Sequence, residues 1–325
     1  MNAALRVLLP LLVFLGGVGP IAHAEEAKLH RVGIILPGRP YYAAVDGLRE
    51  GLKELGLEDG KQYVLEIQDV QGDLSMVGQA ARNLEQGKVR LLYTITTSVT
   101  TAAKRATTTV PIVFSVGGDP VARGLVESFP QPGGRLTGIY FWTSDITPKR
   151  LEVLKDLLPK LRRVVTFYDP KNPIAQQSAK AAREAGRRLR VEVIERQVAS
   201  VEELQAGLRA LRSGEADAYF HVPDATLASQ AQFIIDTANA KGLPTMFQDY
   251  VLVAQGALAS YGVNEREVGR MSAKYVQRVL AGTSPKELPV ERYDRISLAI
   301  NLRTAKALGL RIPNSVLDRA DQVIR

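Results

Sequence analysis

Short apolar runs and helical stretches alternate along most of the chain, and each pattern predicts one kind of element. Residues 91–95 and 111–116 are rich in β-branched side chains, which is typical of strands buried on both faces of a sheet. Residues 42–56 place Val45, Leu48 and Leu52 on one helical face. Residues 99–107 separate the two strands and predict the crossover helix that parallel strands require.

This alternation runs through two successive series and predicts an α/β fold with two Rossmann-like lobes, each built on a parallel sheet. The first series covers residues 32–141, and the second begins with a helix at residue 147 and ends with a helix from residue 304. Within the second series, residues 226–240 predict a single helix. Several extended segments connect the two series, and about 300 residues after the N-terminal segment suit two domains of ordinary size.

The N-terminal segment, residues 1–24, predicts a cleavable secretory signal peptide. Arg6 supplies a positive charge, residues 8–18 are apolar, and Ala22-His23-Ala24 forms a small-x-small site that places the cleavage after Ala24. This site favours a signal peptide over an uncleaved signal anchor. The chain has no cysteine, so it carries neither a thiol for a lipid anchor nor a disulfide. We therefore expect a soluble protein of a bacterial periplasm.

The formal net charge of +8 raises the question of nucleic-acid binding. The Lys and Arg residues, however, are spread along predicted helices and form no basic block. The pairs Arg162-Arg163 and Arg187-Arg188 fall at the ends of predicted helices, where cations suit the helix dipole. We interpret the charge as solvated helix faces that attract anionic ligands, and we expect no nucleic-acid partner.

The motifs of common enzyme classes are absent from the sequence. Residues 33–38 begin like a phosphate-binding loop, but Arg39-Pro40 follow where that loop needs Lys and then Ser or Thr. There is no Gly-x-Ser-x-Gly elbow, no zinc-type Cys/His cluster and no calcium-loop spacing. We therefore expect no catalytic residue, no metal and no cofactor. A periplasmic hydrolase stays open as an alternative, with His221 or paired acids at its centre, and it predicts that His221→Ala abolishes turnover.

Polar and aromatic residues follow the predicted strands, at the sheet edge where open α/β folds bind ligands. Thr97 and Ser98 combine hydroxyls with the free N–H groups and the dipole of a helix N-terminus, which suits a carboxylate. Tyr41 and Tyr42 offer an aromatic wall with polar tips. The full set of candidate ligand-binding residues is Arg39, Tyr41, Tyr42, Thr97, Ser98, Gly117, Asp119, Asp169, Asn172, Asp224, Asp249 and Tyr261.

Several of these candidates also suit a purely structural role. Thr and Ser residues cap helices, Tyr42 suits a hydrophobic staple for the first helix, and Asp119 before a proline orders its own loop. Asp224 and Asp249 fit helix N-caps as well as a ligand site. Their convergence on one edge of both lobes favours a binding cleft.

The chain resembles a known family over essentially its whole length after the signal peptide, and six segments carry the resemblance. These segments read VGIILPGRPYYAAVDGLREGL (32–52), ITTSVTTAAKRAT (95–107), PIVFSVGGDPVARGLVES (111–128), PGGRLTGI (132–139), YDPKNP (168–173) and GALASYGVNEREVG (256–269). The resemblance is to the ABC-transporter solute-binding family that includes the tryptophan-binding TrpX-type proteins. It implies the type I periplasmic-binding-protein fold, with three hinge crossovers and a ligand held between the lobes.

The resemblance also implies how the chain divides and which groups bind the ligand. The hinge strands would be residues 136–141, 259–262 and 294–297, so that lobe 1 comprises residues 25–141 and 262–295, and lobe 2 residues 142–261 and 296–325. Thr97 and Ser98 match hydroxyls of a carboxylate site, and Asp249 matches an amine partner. Where the family has an acidic pair, this chain reads Gln248-Asp249. Arg39 places a cation near the cleft, which suits an additional carboxylate.

These observations lead to one functional hypothesis. We expect a periplasmic solute-binding protein of an ABC importer that captures a small carboxylate-bearing ligand by hinge closure. The ligand would be an aromatic or branched amino acid, or else an aromatic or organic acid. The membrane permease of the transporter and its ATPase would be the partners. The alternative is a sensor-input protein that binds the same ligand and docks on a receptor kinase.

Overall fold

The computed structural model describes residues 29–142 and 146–325. The predicted signal peptide, residues 1–24, lies outside the described residues, so cleavage after Ala24 stays a prediction. Within the two described ranges, no helix combines the length and the apolar character needed to cross a membrane.

Strands and helices alternate along the described residues, as the hydrophobic pattern predicts. The strands are β1 (His30–Leu36), β2 (Tyr63–Asp69), β3 (Leu91–Ile95), β4 (Ile112–Gly117), β5 (Leu136–Phe141), β6 (Arg163–Tyr168), β7 (Glu192–Gln197), β8 (Ala218–Phe220), β9 (Thr245–Phe247), β10 (Ala259–Gly262), β11 (Glu291–Arg292), β12 (Ser297–Asn301) and β13 (Gln322–Ile324). The α-helices are α1 (Tyr42–Glu54), α2 (Val77–Gln86), α3 (Thr97–Ala106), α4 (Thr147–Leu157), α5 (Pro173–Leu189), α6 (Val201–Ala210), α7 (Ala225–Ser229), α8 (Ala231–Ala240), α9 (Val251–Ala254), α10 (Glu265–Leu280), α11 (Leu302–Ala307) and α12 (Asn314–Leu317).

The strands form two sheets, and each sheet is the centre of one lobe. The first sheet has six strands in the order β11-β5-β4-β3-β1-β2, and all its pairs are parallel. The second sheet has seven strands in the order β13-β12-β10-β9-β8-β6-β7, and its pairs are parallel except β10 with β12. The predicted α/β fold with two Rossmann-like lobes is confirmed, although the second sheet is mixed.

The antiparallel pair follows from the way the chain passes between the lobes. The chain crosses three times, after β5, after β10 and between β11 and β12. Strand β10 leaves the second sheet toward the first lobe, whereas β12 enters from the first lobe, so these neighbours run in opposite directions. Of the expected hinge segments, residues 136–141 form β5, residues 259–262 form β10, and residues 294–296 lie between strands. The lobe boundaries stay a prediction.

Helices cover both faces of each sheet and enclose the apolar cores. Helix α10 packs against α1 through glycines, which allow the two backbones to approach closely. A Cβ at Gly47 would lie 1.8 Å from the carbonyl oxygen of Arg266, and one at Gly269 would lie 1.9 Å from that of Ala44. Since neither glycine position tolerates a side chain, this contact fixes α10, and with it Glu265, against the first lobe.

One predicted helix is two helices in the structure. Residues 226–240 predict a continuous helix, but α7 ends at Ser229 and α8 begins at Ala231. The Ser229 hydroxyl donates a hydrogen bond of 2.6 Å to the Thr226 carbonyl oxygen, which competes with continuation of the helix. Ala228 packs in a core cluster of the first lobe, whereas α8 packs in the second lobe. The break therefore lets consecutive turns contact different lobes.

Candidate functional site

A cavity lies between the two lobes, where strands of both sheets end. It contains about 440 Å³ of empty space, part of which is open solvent. The first lobe lines it with Tyr41, Thr96, Thr97, Ser98, Ser115, Gly117, Phe141 and Glu265, and the second lobe with Asn172, Ile174, Pro223, Asp224, Ala225 and Gln248. The predicted residues that the structure brings together in this lining are Tyr41, Thr97, Ser98, Gly117, Asn172 and Asp224.

The N-terminus of α3 forms one wall of the cavity. Thr96 is the N-cap, and its hydroxyl accepts a hydrogen bond from the Val99 N–H at 3.4 Å. The N–H groups of Thr97 and Ser98 have no partner within the helix because they belong to its first turn. The Thr97 hydroxyl donates to the Gly117 carbonyl oxygen at 2.5 Å, which connects the start of α3 to the end of β4. Free N–H groups and the positive end of the helix dipole create a favourable environment for an anion.

Thr96 holds a backbone conformation that residues with side chains rarely adopt, with φ of 84°. Such a conformation costs on the order of 1–3 kcal/mol, and neighbouring hydrogen bonds maintain it. The Thr96 N–H donates to the Ser115 carbonyl oxygen at 2.9 Å. The Thr96 carbonyl oxygen accepts from the Thr100 hydroxyl at 2.8 Å. The strained residue thus sets the position of the first turn of α3 at the cavity.

Asp224 connects two loops of the second-lobe wall. One carboxylate oxygen accepts from the N–H groups of Thr226 at 3.0 Å and Leu227 at 3.2 Å. The other accepts from the Asp169 N–H at 3.0 Å and from the Asn172 amide at 3.3 Å. Burial raises the pKa of Asp224, and the hydrogen bonds from the backbone oppose this rise. Because both oxygens are used within the protein, Asp224 shapes the wall more than it offers a free charge.

Three predicted residues of the first lobe lie outside the cavity lining. Asp119 accepts from the N–H groups of Val121 and Ala122 and so orders its own loop, the structural role that its sequence context allows. Arg39 is exposed. Tyr42 follows Tyr41 at the start of α1, where successive side chains point in different directions. Tyr41 is buried and lines the cavity. Tyr42 lies outside the lining, where burial, followed by the negative charge of Asp69, raises its pKa.

Two predicted residues of the second lobe also lie outside the lining. Asp169 accepts from the Lys171 N–H at 2.8 Å and orders its own turn. Tyr261 lines a separate surface cavity together with Lys149 and Ile296. Side chains two residues apart on a strand share a face, and Tyr261 accordingly packs with Ala259 against the core of the second lobe. Its position on the strand therefore directs it away from the cavity between the lobes.

Three charged residues are buried at the cavity, and we call them the acid–arginine cluster: Arg150, Asp249 and Glu265. Their exposed fractions are only 0%, 2% and 3%, and charged residues are seldom buried to this degree unless they are paired. Glu265 is the first residue of α10 and lines the cavity. Asp249, which follows β9, and Arg150, on α4, lie behind the lining. The predicted residue Asp249 is thus close to the cavity but does not face it directly.

Several buried hydrogen-bonding groups at the acid–arginine cluster have no partner within the described residues. Nη2 of Arg150 donates to the His221 carbonyl oxygen at 3.0 Å. Within the described residues, neither Oε2 of Glu265 nor Oε1 of Gln248 has a hydrogen-bond partner. An unsatisfied buried acceptor is destabilising by about 1–3 kcal/mol. Since Glu265 and Gln248 both line the cavity, a ligand with N–H donors would satisfy their oxygens.

Burial dominates the ionisation of the cluster. It raises the pKa of Asp249 to about 7, against the lowering effect of the Arg150 charge. Burial, followed by the negative charge of Asp249, raises the pKa of Glu265 well above its ordinary value. Burial also lowers the pKa of Arg150 to about 10, an effect that Asp249 opposes, so the guanidinium keeps its charge at neutral pH.

Arg150 and Glu265 are not among the residues predicted for the site. Glu265 follows the N-cap Asn264 and resembles any acid that complements the dipole in the first turn of a helix. Arg150 lies on a helix with several charged residues, where an exposed arginine is the ordinary expectation. Both are buried because elements distant in sequence pack over them, and the local sequence carries no signal of that packing.

His221 is buried and does not line the cavity. Its Nδ1 lies 3.1 Å from the Tyr219 hydroxyl, and its Nε2 has no hydrogen-bond partner within the described residues. Burial, followed by the Arg150 charge, lowers the pKa of His221 to about 3, so the ring is neutral at physiological pH. Because the His221 ring does not line the cavity, it is not placed to act as a base on a molecule bound there. This position argues against a hydrolase that uses His221.

The two lobes touch beside the cavity through a contact that we call the α7 latch: Thr226 and Ser229 of α7 against Gly38 and Gly72 of the first lobe. The Thr226 hydroxyl donates to the Gly72 carbonyl oxygen at 3.0 Å. A Cβ at Gly38 would lie 2.8 Å from the Ser229 Cβ, and one at Gly72 would lie 2.3 Å from the Ser229 hydroxyl oxygen. The lobes are therefore closed against each other on this side of the cavity.

The chain matches a family model and several individual proteins along most of its length. The family model is that of the ABC transporter substrate binding protein, and it matches residues 31–324. A tyrosine-binding protein of Clostridioides difficile strain R20291 is 28% identical over 269 residues, which are 82% of this chain and 76% of that protein.

Solved structures show the same fold. A conserved domain protein of Vibrio cholerae O1 biovar El Tor is 28% identical, with a TM-score of 0.81, and the match covers 91% of this chain and 100% of the other. A protein from Streptococcus pneumonia, solved in complex with L-Trp, is 24% identical with a TM-score of 0.81 and the same coverage. The type I periplasmic-binding-protein fold expected from the sequence is thereby confirmed.

Proposed function

This chain belongs to the ABC transporter substrate-binding protein family, and we propose that it is the periplasmic solute-binding protein of an importer and captures an amino acid between its lobes. An aromatic or branched amino acid is the leading candidate, and an aromatic or organic acid is the second. One observation carries the proposal: a single cavity combines an anion site at α3 with buried, unpartnered acceptors. The membrane permease and ATPase of the transporter would be the partners.

Two sets of lining groups suit the two charges of an amino acid. The first-turn N–H groups of α3 and the hydroxyl of Ser98 would bind the carboxylate, where the helix dipole favours negative charge. The oxygens of Glu265 and Gln248 would accept hydrogen bonds from the ammonium group. A ligand with both charges would use all of these groups, whereas a simple carboxylic acid would leave the acceptors unsatisfied.

The remaining lining supports an apolar side chain on the ligand. Tyr41 and Phe141 contribute aromatic surface from the first lobe, and Ile174 and Pro223 contribute aliphatic surface from the second. Aromatic rings pack well against such walls. The similarity to a tyrosine-binding protein supports the same class of ligand.

Hinge closure would retain the ligand once it is bound. Because the lining comes from both lobes, a ligand contacts its full set of partners only when the lobes are together. A ligand shifts a conformational equilibrium only by its difference in affinity for the two states. Contacts from both lobes provide that difference, and the α7 latch adds protein contacts to the closed state.

Thermal unfolding against a panel of ligands tests the proposal. The protein is first unfolded and refolded to remove any bound ligand, and the panel contains amino acids, aromatic acids and dicarboxylates. A true ligand at about 100 times its Kd stabilises by roughly 2.7 kcal/mol, which raises Tm by several degrees. We expect an aromatic or branched amino acid to produce this shift.

Two serine variants locate the response. Ser98→Ala removes a cavity hydroxyl and should reduce the shift, whereas Ser213→Ala, at an exposed position outside the cavity, should leave it unchanged. If no member of the panel raises Tm of the ligand-free protein, the capture of amino acids and small organic acids is wrong.

A further inference from the structure

We propose that Asp249 and Glu265 hold one proton between them in the empty closed protein and release it to solvent when the ammonium group of the ligand takes its place. The inference rests on the proposed function, because it concerns the same cavity. It goes further by making the positive charge of the ligand, rather than its carboxylate alone, the condition for tight binding.

The topology brings these two acids together from different lobes. Strands β9 and β10 are parallel neighbours, with Ser260 opposite Phe247, so Asp249 and the segment after β10 leave the second sheet at the same edge. A Cβ at Gly262 would lie 2.2 Å from the Gln248 carbonyl oxygen, which shows how closely the two segments pass. Glu265 then begins α10, which packs against β3, β4 and β5 of the first lobe.

The charges of the acid–arginine cluster do not balance when both acids are ionised. Asp249 and Glu265 would carry two negative charges, and Arg150 supplies one positive charge. All three side chains are buried, and an uncompensated charge in such a place is strongly unfavourable. One further positive charge is therefore required, and either a proton on the acid pair or a cationic ligand provides it.

The other titratable groups around the cluster do not supply this charge. They are His221, Asp224, Tyr41, Tyr93 and Tyr293. The His221 ring is neutral because burial, followed by the Arg150 charge, lowers its pKa to about 3. Burial raises the pKa of each tyrosine, so all three stay neutral, and Asp224 adds no positive charge. Arg150 is therefore the only cation among the described titratable groups named here and in the cluster.

The cavity lining shows where the ligand cation would bind. Oε2 of Glu265 and Oε1 of Gln248 are buried acceptors without partners within the described residues, and both residues line the cavity. Gln248 is neutral, so its unpartnered oxygen is independent of the charge count and points to a donor on the ligand. An ammonium group has three N–H donors, enough to bind both oxygens at once.

The exchange makes ligand affinity depend on pH in a definite direction. Burial raises the pKa of both acids in the empty protein, to about 7 for Asp249 and well above its ordinary value for Glu265. A bound ammonium group would lower both pKa values because it favours the ionised forms. The complex then binds fewer protons than the empty protein, so affinity rises with pH across the range from about 5 to 8.

Calorimetry in two buffers counts the released protons. Protein expressed from the full-length sequence and refolded free of ligand is titrated with L-tyrosine and L-tryptophan at pH 7, in phosphate and in Tris. The difference in binding enthalpy between the buffers gives the proton count. We expect about one proton released per ligand, and clearly fewer in Glu265→Gln. Glu267→Gln, on the same helix but outside the lining, should match the wild type.

Deaminated analogues separate this inference from the proposed function. The compounds 3-(4-hydroxyphenyl)propionate and indole-3-propionate keep the ring and the carboxylate but lack the ammonium group. We expect them to bind about 100-fold more weakly, or worse, and to release no proton. Equal affinity of amino acid and analogue, or an unchanged proton count in Glu265→Gln, would overturn the proton exchange and leave the capture of a carboxylate-bearing ligand intact.

A titration of the empty protein needs no ligand. Carboxyl ¹³C resonances of Asp and Glu are followed with pH by NMR, and Glu265→Gln identifies the signal of Glu265. A carboxyl that titrates far above the ordinary range of acids supports the proton on the pair, even if no panel compound binds. If Asp249 and Glu265 both titrate at ordinary values, the inference is wrong whatever the ligand is.

Discussion

Arg150 shows how strongly a single residue can determine the properties of this site. Its guanidinium has no exposed surface, and it lies 5.2 Å from the centre of the Phe220 ring. Its charge lowers the pKa of Asp249 against the effect of burial. Without this arginine, two buried acids would remain with no cation among the groups that surround them.

We expect Arg150→Met to lower the free energy of unfolding by about 3–5 kcal/mol at pH 8, and by much less at pH 5. Without Arg150, the folded-state pKa of Asp249 rises further above its unfolded value. The folded protein then binds more protons than the unfolded chain, so stability is present at low pH and is lost as pH rises toward that folded pKa. Urea unfolding at the two pH values measures the difference.

Arg319→Met is the matched control for this prediction. Arg319 forms an exposed ion pair with Asp156, and such pairs contribute about 0–1 kcal/mol. We expect a small loss with little dependence on pH. An equal loss at pH 5 and pH 8 in Arg150→Met would contradict the electrostatic role of the arginine and indicate a loss of packing alone.

The residues of the site differ in how far the sequence could predict them. Thr97 and Ser98 were predictable because a hydroxyl-rich helix start after a buried strand is a local pattern. Arg150 and Glu265 were not, because their burial depends on contacts between distant elements. Tyr261, in contrast, was predicted for the site but does not line the cavity. It lies on a strand that leads toward the hinge, but strand side chains alternate between the two faces, and its own side chain points away from the cavity.

At the scale of elements, the short helix α7 has the clearest functional consequence. It separates from α8 so that Ser229 and Thr226 can contact the first lobe. Gly72 lies under this contact with φ of 87°, a conformation that glycine adopts without strain. The α7 latch therefore depends on the absence of a side chain on the opposite lobe.

We expect Gly72→Ala to weaken ligand binding by about tenfold or more, which corresponds to at least about 1.4 kcal/mol. The added Cβ would collide with the Ser229 hydroxyl, so the closed state becomes less favourable. Gly60→Ala is the control, because Gly60 has a similar φ of 80° but open space around its Cβ position. Both variants should lose about 1 kcal/mol of stability from backbone strain.

Calorimetric Kd values of the two variants, together with their urea unfolding curves, separate the effects. Weaker binding in Gly72→Ala alone supports the latch. The same loss of affinity in both variants would attribute the effect to backbone strain and contradict a role for α7 in closure.

Most elements were predictable because their periodicity is local. Residues 91–95 and 136–141 are strands in the prediction and in the structure. Strands β11 and β13 contain only two and three residues, too few to carry a pattern. The break between α7 and α8 and the direction of β12 both result from the position of the other lobe. A pattern within one segment does not contain that information.

At the scale of the whole molecule, we expect the two lobes, joined by three connections, to exchange between open and closed arrangements. The described structure has the lobes in contact at the α7 latch. A ligand that binds both lobes favours this arrangement by its difference in affinity for the two states.

We expect small-angle scattering to show a larger radius of gyration for the ligand-free protein than for the protein saturated with L-tyrosine or L-tryptophan. The contraction should be smaller in Gly72→Ala, because its closed state is less favourable. Identical scattering curves with and without a bound ligand would contradict closure of the lobes on binding.

Each lobe carries one of the two buried acids, and we expect this division to affect how the empty protein behaves toward a membrane partner. In the closed protein without a ligand, Asp249 and Glu265 are buried beside a single arginine, which would require a proton from solvent, and protons become scarcer as pH rises. A protein loaded with an amino acid would need no such proton, because the ligand would bring the positive charge. We therefore expect the empty protein to close less readily than the loaded one, so that a transporter that recognises the closed shape would favour the loaded protein.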